Sequence, residues 1–168
     1  TSIRKGQENA IMKIVQYSDF LCPVCSEAAL LIDEFLAAHP SDVQYIWKDF
    51  PVESSHAGTM AVHNAARCAS EYGRFWDFHD AIFSGGYSRD RQGLLAIAQD
   101  LEIPSLAFSL CVDSEKYLGN IQQDFFEGQA LGVDATPYYI IGDSNISGLP
   151  ERAELEAILA AIKRQKEL

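Results

Sequence analysis

Two cysteines separated by two residues, Cys22 and Cys25, lie where an apolar run of strand-forming residues gives way to an alanine-rich helical pattern. Residues 11–17 have the β-branched and aromatic content of a buried strand. From Ser26 onward, apolar residues recur at helical spacing. Pro23 fits only the first turn of that helix, where a missing N–H leaves no helical hydrogen bond unmade. The pattern therefore places Cys22 at the helix N-terminus and Cys25 one turn further in.

This placement predicts different roles for the two thiols. A helix N-terminus has unpaired backbone N–H groups and the positive end of the helix dipole, and both favour a thiolate over a thiol. Cys22 is therefore predicted to be the attacking nucleophile. Cys25 shares an apolar helical face with Ala29, Ile32 and Leu36, so we expect it to be more buried and to act as the resolving cysteine.

The composition limits the classes of function open to the chain. Its 168 residues are 48% hydrophobic, enough for one sizeable core with a subdomain inserted into it. The formal net charge of −11 argues against binding to nucleic acid or to an anionic membrane surface. No stretch has the roughly 18–20 consecutive apolar residues of a membrane helix. Residues 1–9 lack the apolar core of a signal peptide.

The order of the patterns along the chain indicates an α/β fold. Residues 43–48 alternate and are rich in strand formers, and a helix precedes them, so this strand is expected to pair in parallel with the first. Helical stripes follow, the first capped by Ser54 or Ser55 and ending near Ser70. Residues 138–141 form a short strand, followed by a turn, a weak return strand and a last helix.

No convincing strand pattern occurs in residues 54–131. A helical block of this size between strands is best explained as an insertion into an α/β fold. We therefore predict that residues 1–53 and 132–168 form one domain and that residues 54–131 form an inserted helical subdomain.

The remaining cysteines, Cys68 and Cys111, leave two alternatives open. Each could be an inert buried thiol, the commonest state of a lone cysteine. Equally, the two could form a structural disulfide, since the chain already carries a cysteine pair typical of redox chemistry. Such a disulfide would close a 43-residue span and stabilise the fold by about 3–4 kcal/mol on the loop-entropy model.

The order of elements and several motifs together resemble the DsbA-like branch of the thioredoxin-fold thiol–disulfide oxidoreductases. The similar segments are YSDFLCPVC at 17–25, KDFP at 48–51, AARCA at 65–69, FWDFHD at 75–80 and VDATP at 133–137. The resemblance implies that Pro137 follows a cis peptide bond and packs opposite the cysteine pair. It also implies that the backbone of Thr136 pairs with an extended substrate segment. The alternative is an ordinary trans-proline at a strand entrance.

Three positions beside the cysteines qualify the resemblance. Gln16 stands where many thioredoxin-fold enzymes carry a buried carboxylate, and a neutral amide cannot shuttle protons to or from Cys25. Asp19 matches an acidic residue common in this branch, but a turn or capping role is equally compatible. Val24 replaces the histidine of some members, which removes a charge that helps the thiolate, so we expect a less extreme reduction potential.

The resemblance implies a dithiol oxidase that introduces disulfides into periplasmic or other extracytoplasmic proteins, with any signal or anchor removed before residue 1. Its partners would be reduced or unfolded proteins with free thiols and a membrane-bound or small-molecule reoxidant. It would need no cofactor beyond the redox-active Cys22–Cys25 disulfide. No dimerisation segment precedes residue 11, which favours an oxidase over an isomerase, and a monomer. Reductase or isomerase activity is the alternative in the same fold.

A zinc-binding structural module is the alternative from another class. The Cys22–Cys25 pair is half of a zinc site, which Cys68, Cys111, His56 or His63 could complete. Structural zinc sites normally show a second close-spaced ligand pair, which this sequence lacks, so we predict no metal. The helically spaced aromatics Phe75, Trp76, Phe78 and Phe83 are predicted to pack in the core rather than to line a substrate groove.

Overall fold

The computed structural model describes residues 2–166, which form a five-stranded sheet and seven helices. The elements are β1 (Ile3–Gly6), β2 (Met12–Ser18), α1 (Pro23–Ala38), β3 (Val43–Asp49), α2 (Thr59–Ser70), α3 (Phe75–Ser84), α4 (Arg91–Asp100), α5 (Ser105–Asp113), α6 (Leu118–Ala130), β4 (Tyr138–Ile141), β5 (Ser144–Ser147) and α7 (Arg152–Lys166). Five helices lie between β3 and β4, as the helical stripes predict. The predicted α/β fold with inserted helices is confirmed, whereas the domain limits at residues 53 and 132 stay a prediction.

The strand order β1-β3-β2-β4-β5 places β2 near the centre of the sheet. The β2 and β3 strands are parallel, as predicted, and each of the other pairs is antiparallel. In the parallel pair Ser18 lies opposite Asp49, so the carboxyl ends of β2 and β3 reach the same edge of the sheet. The segment between β2 and α1, which carries Cys22, begins at that edge.

The structure differs from the predicted elements in one additional strand and one helix boundary. The first strand, β1, was not predicted, because its four residues include Arg4, Lys5 and Gly6 and show almost no apolar pattern. Helix α2 begins at Thr59, so the prediction of a start at Ser54 or Ser55 was wrong. The chain turns at residues 52–58 instead. There the Glu53 carboxylate accepts hydrogen bonds from the N–H groups of Gly58 and Met60, at 2.9 and 2.7 Å.

The helices pack on the sheet through one large core and one smaller cluster. The large core joins the sheet to α1, α7 and the helices α2–α5. The smaller cluster contains Tyr17, Phe50, Val133 and Tyr138, beside α6. Gly128 of α6 packs so closely here that a Cβ atom would lie 2.9 Å from the rings of Tyr17 and Phe50. Helix α6 is therefore held against the edge of the sheet where β2 and β3 end.

A disulfide joins Cys68 of α2 to Cys111 of α5. It closes a span of 43 residues, and on the loop-entropy model a cross-link of this span stabilises a fold by about 4 kcal/mol. Within residues 2–166, no helix is both long and apolar enough to cross a membrane.

Candidate active site

Cys22 caps the N-terminus of α1, and Pro23 occupies the first turn of that helix. The Cys22 carbonyl accepts hydrogen bonds from the N–H groups of Cys25 and Ser26, at 3.1 and 3.3 Å. Cys22 keeps 6% of its surface exposed, whereas Cys25 is fully buried, and both are free thiols in the structure. Cys25 is thus the more buried of the two, as the sequence predicts, although Cys22 is itself largely buried. Its roles in exchange remain a proposal.

The surroundings of Cys22 stabilise its thiolate. The pKa of Cys22 is lowered from the ordinary 9.0 to about 5, and the hydrogen bond from the Cys25 thiol is the largest of the influences that together give this value. Burial acts in the opposite direction, whereas hydrogen bonds from Thr136 and from the N–H groups of Cys25 and Val24 also act to lower the pKa. The backbone donors are free because the first N–H groups of a helix have no partner within it. At neutral pH Cys22 is therefore a thiolate.

Cys25 has the opposite tendency. Burial raises the pKa of its thiol above the ordinary value, and the hydrogen bond to Cys22 raises it further. Hydrogen bonds from the Asp19 backbone and the Ser18 side chain lower the pKa but do not outweigh these effects. At neutral pH the reduced pair therefore carries a single thiol proton, and this proton is on Cys25.

We expect alkylation of the reduced protein to reveal this asymmetry. Iodoacetamide reacts with the thiolate, so the labelling rate of Cys22 should rise to half its maximum near pH 5 and stay constant above about pH 7, while Cys25 stays unlabelled. Because the folded pKa lies below 9.0, the thiolate stabilises the reduced fold fully above pH 9, and this stabilisation is lost as the pH falls through 5. Labelling followed by mass spectrometry of digested protein is the measurement. A midpoint near pH 9 would contradict the prediction.

The loop before β4 lies against Cys22. The Thr136–Pro137 peptide bond is cis, and Cys22 Sγ lies 3.4 Å from the Thr136 carbonyl oxygen, to which it donates a hydrogen bond when the thiol is protonated. Pro137 is buried and Thr136 is half-buried. Antiparallel pairing of Tyr17 with Tyr138 fixes the loop relative to the strand that precedes the cysteines. The structure thus brings together the four residues Cys22, Cys25, Thr136 and Pro137.

Gln16 and Val24 lie close to the pair but add no charge to it. The Gln16 side chain is buried, and its Nε2 donates to Ser18 Oγ at 3.1 Å. Within residues 2–166 its Oε1 atom has no hydrogen-bond partner. Val24 is 38% exposed beside Cys22. No proton-transfer group therefore occupies either position.

Asp19 is completely buried at the start of the segment that leads to Cys22. Its carboxylate accepts hydrogen bonds from the N–H groups of Leu21 and Val52, at 2.9 and 2.8 Å, from the Thr59 hydroxyl, and from His56 Nδ1 at 2.8 Å. Burial raises the pKa of Asp19, but these hydrogen bonds and the interaction with His63 outweigh it and hold the pKa well below the usual range. The hydrogen bond from the Leu21 N–H is the turn contact that the sequence left open, whereas the supporting role of Asp19 in the active site stays a prediction.

Asp19 is also one end of a buried series of charged side chains that the sequence interpretation missed. We call this series the ion chain; its members are Asp19, His63, Asp49, Arg67, Asp124 and Lys48. His63 is fully buried, with Nδ1 2.6 Å from Asp49 Oδ1 and Nε2 3.9 Å from Asp19 Oδ1. Burial lowers the pKa of His63, but the two carboxylates raise it more.

The other half of the ion chain surrounds Asp49. Its carboxylate accepts hydrogen bonds from Trp47 Nε1 at 2.8 Å and from Arg67 Nε. Arg67 Nη2 lies 2.6 Å from Asp124, which in turn contacts Lys48 at 3.0 Å. Burial raises the pKa of Asp49, but His63, Arg67 and Trp47 lower it to about 2.

The ion chain joins elements that are far apart in sequence. Asp19 follows β2, Asp49 ends β3, and His63 and Arg67 are four residues apart on α2. The parallel pairing of β2 with β3 could have indicated that the two carboxylates share an edge of the sheet. Nothing in the sequence shows that α2 presents its cations to that edge.

The residues considered for zinc do not converge. Cys68 and Cys111 are bonded to each other, and His56 and His63 contact Asp19 instead of the cysteine pair. Across residues 2–166, no group of three or more His, Cys, Asp or Glu side chains is arranged to hold a metal ion.

Comparison with known proteins places this geometry in a family. A family model described as thioredoxin matches residues 1–161. The chain belongs to the thioredoxin family. Within it, the fold is of the DsbA type, with helices inserted between the third and fourth strands.

Several solved structures with this fold superpose closely on the chain. A thioredoxin-like oxidoreductase from Silicibacter pomeroyi has a TM-score of 0.86 at 21% identity, covering 97% of this chain and 92% of that one. The thiol–disulfide exchange protein α-DsbA2 from Wolbachia pipientis has a TM-score of 0.84 at 22% identity, covering 96% and 87%. BdbD from Bacillus subtilis has a TM-score of 0.84 at 18% identity, covering 97% and 93%. At these identities the likeness shows the fold.

Curated relatives in sequence are much longer than this chain. The protein named Na⁺/H⁺ antiporter NhaA 1 from Mycolicibacterium vanbaalenii is 28% identical over 162 residues, which are 95% of this chain and 26% of the antiporter. NhaA from Herminiimonas arsenicoxydans is 26% identical over 160 residues, 95% of this chain and 25% of that protein. The chain therefore spans about a quarter of the length of these relatives.

Proposed function

We propose that the chain is a thiol–disulfide oxidoreductase that acts as a dithiol oxidase on extracytoplasmic proteins. The observation that carries the proposal is the pairing of Cys22, which keeps 6% of its surface exposed and whose pKa is lowered to about 5, with a fully buried Cys25, whose pKa is raised. The contact of Cys22 with the loop at Thr136 and Pro137 gives a substrate backbone a place to bind beside the sulfur.

The proposed reaction begins with the Cys22–Cys25 disulfide. A substrate thiolate attacks Cys22 Sγ, the disulfide bond breaks, and the electron pair goes to Cys25, which takes a proton because its thiol pKa is high. A second substrate thiolate then attacks the substrate sulfur of the mixed disulfide and releases Cys22 as a thiolate. The substrate loses two electrons and the cysteine pair gains them.

The lowered pKa of Cys22 favours this direction. A thiolate that is stable in the folded protein is a good leaving group, and it stabilises the reduced form of the pair relative to the disulfide. The disulfide is then a stronger oxidant. Gln16 holds no charge that would oppose this effect. Reductase or isomerase action remains the second candidate, because the same steps run in reverse.

The oxidase proposal implies particular partners. The substrates would be reduced or unfolded proteins with free thiols, and a membrane-bound or small-molecule oxidant would regenerate the disulfide. The redox-active disulfide itself replaces any cofactor. The extracytoplasmic compartment is proposed because disulfides persist there and because α2 and α5 are joined by one.

The reduction potential of the Cys22–Cys25 pair tests the proposed direction. Equilibration with glutathione buffers, followed by quantification of both redox forms, should give a value closer to that of a strong disulfide donor, about −120 mV, than to that of thioredoxin, but less extreme than the former because Val24 carries no charge. Val24→His should shift the potential upward, because a protonated imidazole beside Cys22 stabilises the thiolate. The neutral variant Val24→Leu is the matched control and should leave it unchanged. A value near about −270 mV would identify a reductase instead.

A further inference from the structure

A cavity of about 420 Å³ opens beside the reactive sulfur, on the side formed by the end of α3 and the segment that follows it. Cys22 and Pro23 form one wall, and Phe83 and Tyr87 form another. Ser26 Oγ donates a hydrogen bond to the Phe83 carbonyl at 3.3 Å, which ties α1 to the end of α3. Phe83 packs against the core, as its helical spacing predicts, but its side chain is only partly buried and also lines the cavity.

Arg89 is the cation of this cavity. Its side chain is half-buried, and Nη1 donates a hydrogen bond to the Tyr87 carbonyl at 2.6 Å. Among the residues that the structure describes, no carboxylate forms an ion pair with Arg89. Burial alone lowers the pKa of its guanidinium. A guanidinium has five N–H donors, so Arg89 retains donors for a further acceptor.

The charged residues next to Arg89 in the sequence form hydrogen bonds with other partners. Asp90 accepts hydrogen bonds from Ser88 Oγ at 2.7 Å and from the Gly93 N–H at 2.9 Å, where it caps α4. Arg91 forms a two-bond pair with Asp113, each bond 2.7 Å long. Arg89 thus differs from the next arginine in the sequence both in its position and in lacking a described counter-ion.

The segment that carries Arg89 is fixed at both ends. The Tyr87 hydroxyl donates to Asp100 Oδ2 at 2.7 Å. Gly93 packs so tightly on the segment that a Cβ atom there would lie 1.9 Å from the Ser88 carbonyl oxygen. The guanidinium is therefore held at the cavity before any partner binds, which lowers the entropy cost of a contact with it.

We propose that Arg89 binds the carboxylate of an acidic residue next to the reacting cysteine of the thiol partner. A chain of net charge −11 repels acidic partners in general. A cation held beside Cys22 therefore favours an acidic side chain only where it lies next to the partner's reacting cysteine. Guanidinium and carboxylate form charge-assisted hydrogen bonds, and their geometries match. This inference rests on the proposed function, since the contact acts during attack of the partner thiolate on Cys22 Sγ, with Cys25 as the leaving thiolate.

Two peptides that differ only in charge test the inference. Each carries one cysteine, flanked on both sides by glutamate in one peptide and by glutamine in the other. The rate at which each reduces the oxidised protein is measured by quenching and mass spectrometry, and is expressed per peptide thiolate so that thiol acidity cancels. We expect the Glu-to-Gln rate ratio to fall about tenfold in Arg89→Gln relative to the unaltered protein, which corresponds to one charge-assisted hydrogen bond. Arg89→Lys, which keeps the charge, should retain part of the preference.

Arg91→Gln is the matched control. It removes the same charge two residues away, outside the cavity, and should leave the ratio as in the unaltered protein. An equal ratio in the unaltered protein and Arg89→Gln would overturn this inference and leave the proposed function intact. Failure of both peptides to reduce the Cys22–Cys25 disulfide would overturn the two together.

Discussion

Replacing Cys22 with serine is expected to reduce thiol–disulfide exchange to the uncatalysed rate. Cys22, with its stabilised thiolate at the N-terminus of α1, is the less buried cysteine of the pair, and a serine hydroxyl cannot form the mixed disulfide. Oxidation of a dithiol peptide with glutathione disulfide as the terminal oxidant is the measurement. Turnover by Cys22→Ser above the uncatalysed rate would rule out the proposed mechanism.

The partner variant, Cys25→Ser, should stop the reaction one step later. Cys22 can still attack a disulfide, but the variant cannot form the Cys22–Cys25 disulfide with which the proposed reaction begins. Because no Cys25 thiol is present to release the bound partner, the mixed disulfide should accumulate and appear as an added mass on the intact protein. The control is the double variant Cys68→Ala with Cys111→Ala, which removes the other two sulfurs. These lie in a separate disulfide between α2 and α5, so exchange should persist in this control.

Replacing Arg67 with methionine is expected to lower the free energy of unfolding by about 3–5 kcal/mol, because it leaves Asp49 and Asp124 buried without their shared cation. Denaturant unfolding at pH 5 is the measurement. Asp49, with a folded pKa of about 2, stabilises the fold above its ordinary pKa of 3.8 and loses this effect as the pH falls through 2. His63, with a raised folded pKa, stabilises the fold below 6.5 and loses this effect as the pH rises through the folded value. At pH 5 both contributions are present.

The exposed pair Arg91 and Asp113 provides the control for this loss of stability. Arg91→Gln removes one arginine from an ion pair whose side chains are 56% and 48% exposed. Such pairs contribute about 0–1 kcal/mol, because solvent screens them. Equal losses in Arg67→Met and Arg91→Gln would show that burial of the ion chain is unimportant for stability.

The sequence was sufficient for the parts of the molecule that depend on local pattern. Helical periodicity placed α1 and α7, the proline in the first turn placed Cys22 at the N-terminus of α1, and alternation placed β3. These features depend on residues a few positions apart, where backbone geometry alone fixes which side chains share a face.

The parts that could not be predicted depend on contacts between distant segments. Asp19 has partners at positions 52, 56, 59 and 63, and no local pattern links them. The start of α2 was placed too early because the capping group is the side chain of Glu53, outside the helix. Arg89 was unremarkable as a sequence residue, and only its place in the cavity next to Cys22 distinguishes it from Arg91.

The ion chain has a consequence for attempts to simplify this protein. Asp49 belongs to the sheet, but its cationic partners are on α2, and Asp124, which accepts from the Asp49 N–H at 3.3 Å, is on α6. A shortened protein engineered without the inserted helices would therefore lose His63 and Arg67 and expose Asp49 and Asp19 without these cations at the edge that supports the cysteines. Transplanting the Cys22–Cys25 segment onto a smaller sheet would require neutral replacements at both positions. The inserted helices therefore supply side chains that the segment carrying the cysteines needs for its own stability.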